Sequence, residues 1–220
     1  MVTNTRKSLL KWITRYKNFG HDCYPLPGLP LYGEKLTIRT FRRSDEEARQ
    51  QWPKHLDPYL ARYNFSPCGE AENDIAYEKL KDRIRLAVDN LKGEMVGYVS
   101  FKPVPSDPLT AELGICFSAS HVACGYGAEA LELTLPWACV TLNLNRIVLE
   151  VDVVNTRAIH LYQQMGFTKT SEFWYIEQNE VLCEHFRRSD DSAGIKSHSD
   201  KIELLSWKMT WVNDSQGNLE

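Results

Sequence analysis

The sequence predicts an α+β fold, a mixed central sheet of about seven strands with helices on its faces. Three observations predict it. Apolar periodicity switches between the two-residue and 3.6-residue repeats in the order β, α, α, β, β, β, α, β, α, β, β. Arg146–Val154 (RIVLEVDVV) is a near-continuous β-branched run, the pattern of a strand buried on both faces. The 220 residues, 43% hydrophobic and 25% charged, suffice for one sizeable core.

The elements follow in order. Leu9, Trp12, Ile13, Tyr16 and Phe19 recur at helical spacing with basic residues between them. That segment reads as a short helix packed on the body, with a docking helix for an anionic partner or membrane surface as the alternative. His21–Gly33 is punctuated by Pro25, Pro27, Gly28 and Pro30 and reads as a linker. Residues 1–33 are thus expected to be a basic extension, 34–212 a single domain and 213–220 a polar tail. Lys35–Thr40 alternates like a strand, and Ser44 with Glu47 forms a capping box for a helix that Pro53 must end. A second helix is expected over Glu70–Lys81. Ile84–Val88 and Met95–Phe101 read as a hairpin around Asp89–Gly93. Pro103, Pro105 and Pro108 predict a loop, and Ala111–Phe117 (AELGICF) another strand. Ala128–Leu142 is helical, with Pro136 expected to kink or shorten it. After Arg146–Val154, Asn155 caps a helix from Thr156 to about Met165, which Gly166 stops. Phe173–Glu177 and Ile202–Thr210 are further strands, and the polar stretch Arg187–Lys201 between them reads as a flexible loop.

Composition narrows function. Net charge is −3, yet residues 1–20 hold Arg6, Lys7, Lys11, Arg15 and Lys17 and no acid, so the remainder is strongly acidic. Phosphate-backbone binding needs clustered Lys and Arg, so a nucleic-acid partner is not expected, and an amine-bearing partner fits better. No apolar run approaches the roughly 20 residues of a membrane helix, so a membrane protein is not expected either. The six cysteines are scattered without a C-x-x-C pair, which predicts free thiols in a reducing compartment, the cytoplasm, and no metal site.

Two motifs carry the chemistry. The first, Ser118–Leu131, joins a strand to a helix and contains Gly125-Tyr126-Gly127. Free N–H groups at a helix start attract an anion, and glycine lets a ligand approach the backbone. Alone, the pair of glycines also fits a tight strand–helix connection. The second is Asn155–Phe167 (NTRAIHLYQQMGF), a capped helix with Ala158, Leu161, Tyr162 and Met165 on one face. Alone, it fits a core helix.

Together the two resemble the GNAT superfamily, the GCN5-related N-acetyltransferases, over about Leu36–Met209. G-Y-G-A-E-A-L resembles the acetyl-CoA loop, usually R/Q-x-x-G-x-G/A, and the second motif resembles N-x-x-A-x-x-x-Y-x-x-x-G-F. The A-E-L-G-I-C-F strand and the element order are most similar to the ribosomal-protein N-acetyltransferase subgroup, which also includes enzymes acting on small amines. The resemblance implies a mostly antiparallel central sheet with helices on both faces and splayed central parallel strands. It implies acetyl transfer from acetyl-CoA to an amine, either a protein N-terminus or a small molecule, by direct attack, in a monomer or homodimer. Ile115, Cys116 and Phe117 match the strand end that holds the pantetheine arm. Val122, Ala123, Cys124, Gly125, Tyr126, Gly127 and Ala128 match the phosphate loop, Asn155 a residue that contacts the cofactor, and Tyr162 the proton donor. Glu112 is the candidate base, with Asp152 as substitute and His121 and His160 as outsiders. The family's Arg/Gln falls on Val122, and its common Gly and Lys on Ala123 and Cys124. Those losses motivate an alternative, a non-catalytic acyl-CoA-binding or regulatory module.

Overall fold

A computed structural model describes residues 11, 13–14, 26–65, 69, 82–187, 193–198 and 201–213. Its strands are β1 (Leu31–Tyr32), β2 (Leu36–Thr40), β3 (Ile84–Asn90), β4 (Met95–Val104), β5 (Asp107–Phe117), β6 (Arg146–Asp152), β7 (Thr168–Ile176), β8 (Ile195–Ser197) and β9 (Ile202–Val212). Its helices are α1 (Arg43–Gln50), α2 (Tyr126–Leu142), α3 (Thr156–Gln164) and α4 (Glu180–Arg187), with 3₁₀ turns at Pro58–Tyr63 and Ala119–His121. The expected helix over Glu70–Lys81 and the polar tail from residue 214 lie outside the described residues.

The strands form one nine-stranded sheet in the order β1-β2-β3-β4-β5-β6-β9-β7, with β8 also on β9. Every pairing is antiparallel except β5 with β6. The two strands beyond the expected seven are short. β8 takes up the edge of β9 at Ile202–Leu204, where β6 has already ended opposite Ser206.

Alternation along the strands separates two packed layers. Val99, Phe101, Leu113, Ile147, Leu149 and Met209 project to one face, where Leu131, Leu135 and Ala138 of α2 and Ile159 and Tyr162 of α3 complete the main core. On the opposite face Phe41 and Ala87 are buried with Tyr98 beside α1, and Leu204, Ile202 and Ile195 are buried with Leu182 and Phe186 of α4 and Ala61 of the first 3₁₀ turn. Ile13 is helical and buried in the main core, so the amphipathic N-terminal segment packs on the body at that residue.

Several local expectations are corrected. Helix α1 starts at Arg43, and Asp45 rather than the Ser44/Glu47 pair closes its first turn, accepting the Arg42 N–H at 2.7 Å. Residues 103–108 are a hairpin end rather than a loop: β3 pairs with β4 only as far as Phe101, so Pro103 sits on an unpaired edge where its missing N–H costs no ladder bond. Pro136 does not shorten α2, because both it and Glu132, whose carbonyl it leaves without its usual partner, lie on the exposed face. The stretch expected as a linker is bound to the body from Leu26 onward: Leu26 is buried, and Trp137 Nε1 donates to Pro27 O at 2.9 Å. The expected loop between β7 and β9 contains strand β8 and follows helix α4, whose apolar side (Leu182, Cys183, Phe186) was not read from the sequence.

Candidate active site

The parallel pair β5–β6 is registered only at Thr110–Arg146, Ala111–Ile147 and Glu112–Val148. Beyond it, Leu113–Phe117 and Leu149–Asp152 part. Helices α2 and α3 follow these two strand ends, α2 after the loop 118–125 and α3 after 153–155, so both helix N-termini stand at the same end of the opening. A cleft of ≈ 490 Å³ fills this region, within the range of small-molecule sites.

Of the residues read as cofactor-binding, Ile115, Cys116, Phe117, Val122, Ala123, Gly125, Tyr126, Gly127, Ala128 and Asn155 line this cleft. Cys124 does not; it is exposed, with its Sγ turned to Val122 O at 3.6 Å. The loop bends through left-handed backbone at Ala123 (φ +62°) and Gly125 (φ +79°). Gly125 caps α2 with no side-chain hydrogen bond, which leaves first-turn N–H groups open. A side chain at Gly127 would sit 2.8 Å from Leu161, so α2 and α3 approach closely there. Glu129, in the first turn of α2, turns away from the helix end and accepts the N–H groups of Lys35 (2.7 Å) and Leu36 (3.1 Å).

Asn155 caps α3 as its position requires, accepting the Ala158 N–H at 3.2 Å. Tyr162 lies seven residues, about two α-helical turns, further on. It is buried, its ring packs on Phe167 at 5.7 Å, and burial raises its phenol above the ordinary value, so it is protonated at neutral pH. Burial likewise pushes the Cys116 thiol up to about 12, which makes it a poor nucleophile. Glu112 is not brought to this place. It is exposed on the sheet face opposite Leu113 and lines neither this cleft nor the next one. His121 and His160 line the cleft at the loop and on α3; His121 stacks on Tyr126 at 6.1 Å.

The segment His55–Asn64 supplies residues that sequence reasoning missed. Asn64 clamps it, accepting the His55 N–H (2.6 Å) and donating to His55 O (3.2 Å). Asp57 followed by Pro58 was the available signal, an N-cap with proline at the first helical position; Asp57 accepts the Tyr59 N–H at 3.0 Å. His55 lines the first cleft. Desolvation, the largest cause, lowers its pKa, and Arg157 adds to that, while a hydrogen bond to the Phe117 backbone opposes it. Tyr63 stands at 6.4 Å from His55, and burial raises its phenol pKa.

A second cleft of ≈ 410 Å³ lies beside the ends of β6, β7 and the 3₁₀ turn, with Glu150, Asp152, Tyr59, Phe173 and Tyr175 in its wall. Asp152 accepts from Tyr175 (3.0 Å) and Ser206 (3.1 Å) and pairs with Arg62 at 3.0 Å. Arg62 also bonds the Tyr175 hydroxyl (2.8 Å) and pairs with Glu177. Tyr63, Asn155 and Tyr162 line both clefts.

Known proteins match this arrangement. Residues 35–168 match the acetyltransferase (GNAT) domain family. The chain belongs to the GNAT acetyltransferases. A spermidine N(1)-acetyltransferase of Escherichia coli K12 is 30% identical over 169 residues, covering 68% of this chain and 90% of that one. The N-acetyltransferase p20 of Bacillus licheniformis is 28% identical over 150 residues, 63% of this chain and 82% of that one. In structure, the spermidine N-acetyltransferase of Vibrio cholerae in complex with CoA and spermine aligns with a TM-score of 0.61 at 18% identity, covering 84% of this chain and all of that one.

As a GNAT enzyme the protein is an acetyl-CoA-dependent acyltransferase, and the mixed, mostly antiparallel sheet with splayed strands expected of the superfamily is present. The relatives named above act, by their names, on spermidine or on an unspecified amine; the ribosomal-protein subgroup is not among them. The cleft residues fit the CoA phosphates: uncapped N–H groups of a GNAT loop face it, and the left-handed bend survives at Ala123, where the family commonly has glycine. What the loop lacks is a cation, since Val122 and Cys124 stand where basic or amide side chains are usual.

Proposed function

We propose that the protein acetylates a small cationic amine, with polyamines the first candidates. The observation that carries this reading is that Tyr63, Asn155 and Tyr162 line both clefts. A thioester held in the β5–β6 slot and an amine in the second cleft then meet beside one phenol. When bound, acetyl-CoA supplies the activated acyl group.

The chain's own residues divide the remaining work. Glu150 and Asp152 outnumber the one cation in the lining of the second cleft, Arg62, which pairs with Asp152, while Glu150 pairs with Lys208 at 3.2 Å; Tyr59, Phe173 and Tyr175 give the cleft aromatic walls that can receive an ammonium and its methylenes. Spermidine as the acceptor of the E. coli and V. cholerae relatives supports the same class. His55, held neutral at pH 7 by desolvation and placed beside Tyr63, is assigned as proton acceptor for the attacking amine. Tyr162, buried and protonated, is assigned as proton donor to the departing sulfur. Glu112, exposed outside both clefts, takes no part in this assignment.

The test is thiol release from acetyl-CoA with a panel of spermidine, simpler monoamines, amino acids and N-terminal peptides. Turnover of polyamines above the rest is expected. Turnover of peptides alone would reassign the acceptor, and CoA binding without turnover of any amine would identify a non-catalytic module.

A further inference from the structure

We infer that Lys35, outside the phosphate loop, supplies the cation that the loop itself has lost. The inference rests on the assignment of the β5–β6 cleft to CoA.

Three observations carry it. First, the loop keeps its anion-binding backbone, with left-handed residues at Ala123 and Gly125 and an uncapped helix start, yet Val122 and Cys124 offer no charge. The cations open to a phosphate here come from outside the loop: Arg157 of α3 lines the cleft, and Lys35 lies at the bend itself. Second, the Lys35 ammonium lies at that bend. A Cβ built at Gly125 would be 3.5 Å from Lys35 Nζ, and Gly125 lines the cleft. Third, the placement is anchored. The Glu129 carboxylate accepts the Lys35 and Leu36 N–H groups at 2.7 and 3.1 Å, tying the start of β2 to the first turn of α2. The side chain of Lys35 is left to project along the rim. Among the described residues it has no carboxylate within ion-pair distance, and it is exposed, so a phosphate can reach it.

The same anchoring explains the position of Glu129. A carboxylate in the first turn of α2 would repel phosphate if it faced the loop; bonded by the Lys35 and Leu36 amides, it faces away and orients the lysine instead. A cation reached from sequence position 35 does the work that position 122 or 124 does in the usual loop. Lys35 is a binding residue in this scheme and touches no reacting atom.

The experiment is calorimetry of CoA, dephospho-CoA and phosphate-free acetyl-pantetheine against the full chain and its variants. Lys35→Gln keeps the backbone N–H that Glu129 holds. It is expected to weaken CoA about three- to tenfold, as loss of one exposed charge contact does, and to flatten the salt dependence of binding. Lys35→Arg should retain affinity, and Cys124→Lys placed in the Lys35→Gln chain should restore it. Acetyl-pantetheine affinity should not change. An equal loss for CoA and dephospho-CoA assigns Lys35 to the pyrophosphate; a loss for CoA alone assigns it to the 3′-phosphate. If the wild-type chain binds CoA and Lys35→Gln binds it equally well, the inference is overturned while the cleft assignment stands. If the wild-type chain does not bind CoA, the cleft assignment itself fails.

Discussion

Arg62, on the 3₁₀ turn, reaches Asp152 at the end of β6 with Nη1 3.0 Å from Oδ2, and so joins two segments far apart in the chain. The same guanidinium holds Tyr175 and Glu177 of the β7 end. One side chain therefore ties His55–Asn64, which carries His55 and Tyr63, to the wall of the second cleft. Arg62→Met leaves Asp152 and Glu177 without their cation in a partly buried place. A loss of about 1–3 kcal/mol is expected, below the value for a fully buried pair. Denaturant unfolding measures it, and KM for the amine should rise with it as the loop loosens.

Tyr162→Phe removes only the phenol oxygen from a ring that packs on Phe167. General acid catalysis contributes typically about 10²–10⁴ in rate. The expected result is a fall in kcat of that order with CoA affinity retained. A rate equal to wild type would take Tyr162 out of the mechanism.

If His55 accepts the amine proton as proposed, it sets an acid limb. Desolvation disfavours its imidazolium, so its folded pKa lies below the ordinary 6.5 and the residue is neutral at pH 7. Activity should therefore fall on acidification with a midpoint below 6.5, and His55→Gln should lower kcat and remove that limb. The linked stability has the same sign. As pH drops through 6.5 the unfolded chain takes up this proton first, so the folded state loses stability until His55 itself protonates; above 6.5 the residue adds no pH dependence. A pH–rate profile and pH-dependent unfolding of both proteins check the two statements.

Ala123 occupies left-handed backbone at φ +62° without being glycine. Such a conformation costs an L-residue about 1–2 kcal/mol, partly offset by the greater unfolded-state freedom of glycine. Ala123→Gly should raise stability by about 0.5–1 kcal/mol, read as a higher unfolding midpoint, with CoA binding unchanged or tighter.

Arg85 and Glu46 form an ion pair at 3.0 Å beneath α1, with side chains 5% and 1% exposed. The guanidinium stacks between Phe41 and Tyr98, 4.7 Å from each ring centre. Glu46→Ala leaves a charge buried among rings, and the expected loss is about 3–5 kcal/mol. Replacing both partners by apolar residues should recover part of it, which a double-mutant cycle would show.

Wherever a residue's environment is set by its near neighbours, the sequence was readable. Alternation along Leu36–Thr40 identified a strand because one of its faces is buried; Ile84–Val88 is buried on both faces, and the β-branched run of Arg146–Asp152, expected to be buried on both, is buried on one, with Arg146 and Glu150 exposed on the other. Asn155, Tyr162 and Gly166 were placed correctly because capping, helix facing and helix termination are local geometry. The segment His55–Asn64 was not read, since an aperiodic 3₁₀ turn carries no repeat and its clamp by Asn64 has no spacing rule. The placement of Glu112 was not legible for a related reason: alternation says which residues share its face, but not that this face is exposed at that point.

By itself, then, the order of amino acids determined most of the strands and helices, α4 and β8 apart, the paired GNAT motifs and the phenol on α3. Folding in three dimensions alone decided the rest: where β5 and β6 part, that Arg62, Tyr63 and Tyr162 line one cleft, and that Lys35 meets Gly125. The division has a physical cause. Torsional preference, capping and periodic burial act within a turn or a strand, whereas a cleft is assembled from side chains that meet only after distant surfaces have excluded water between them.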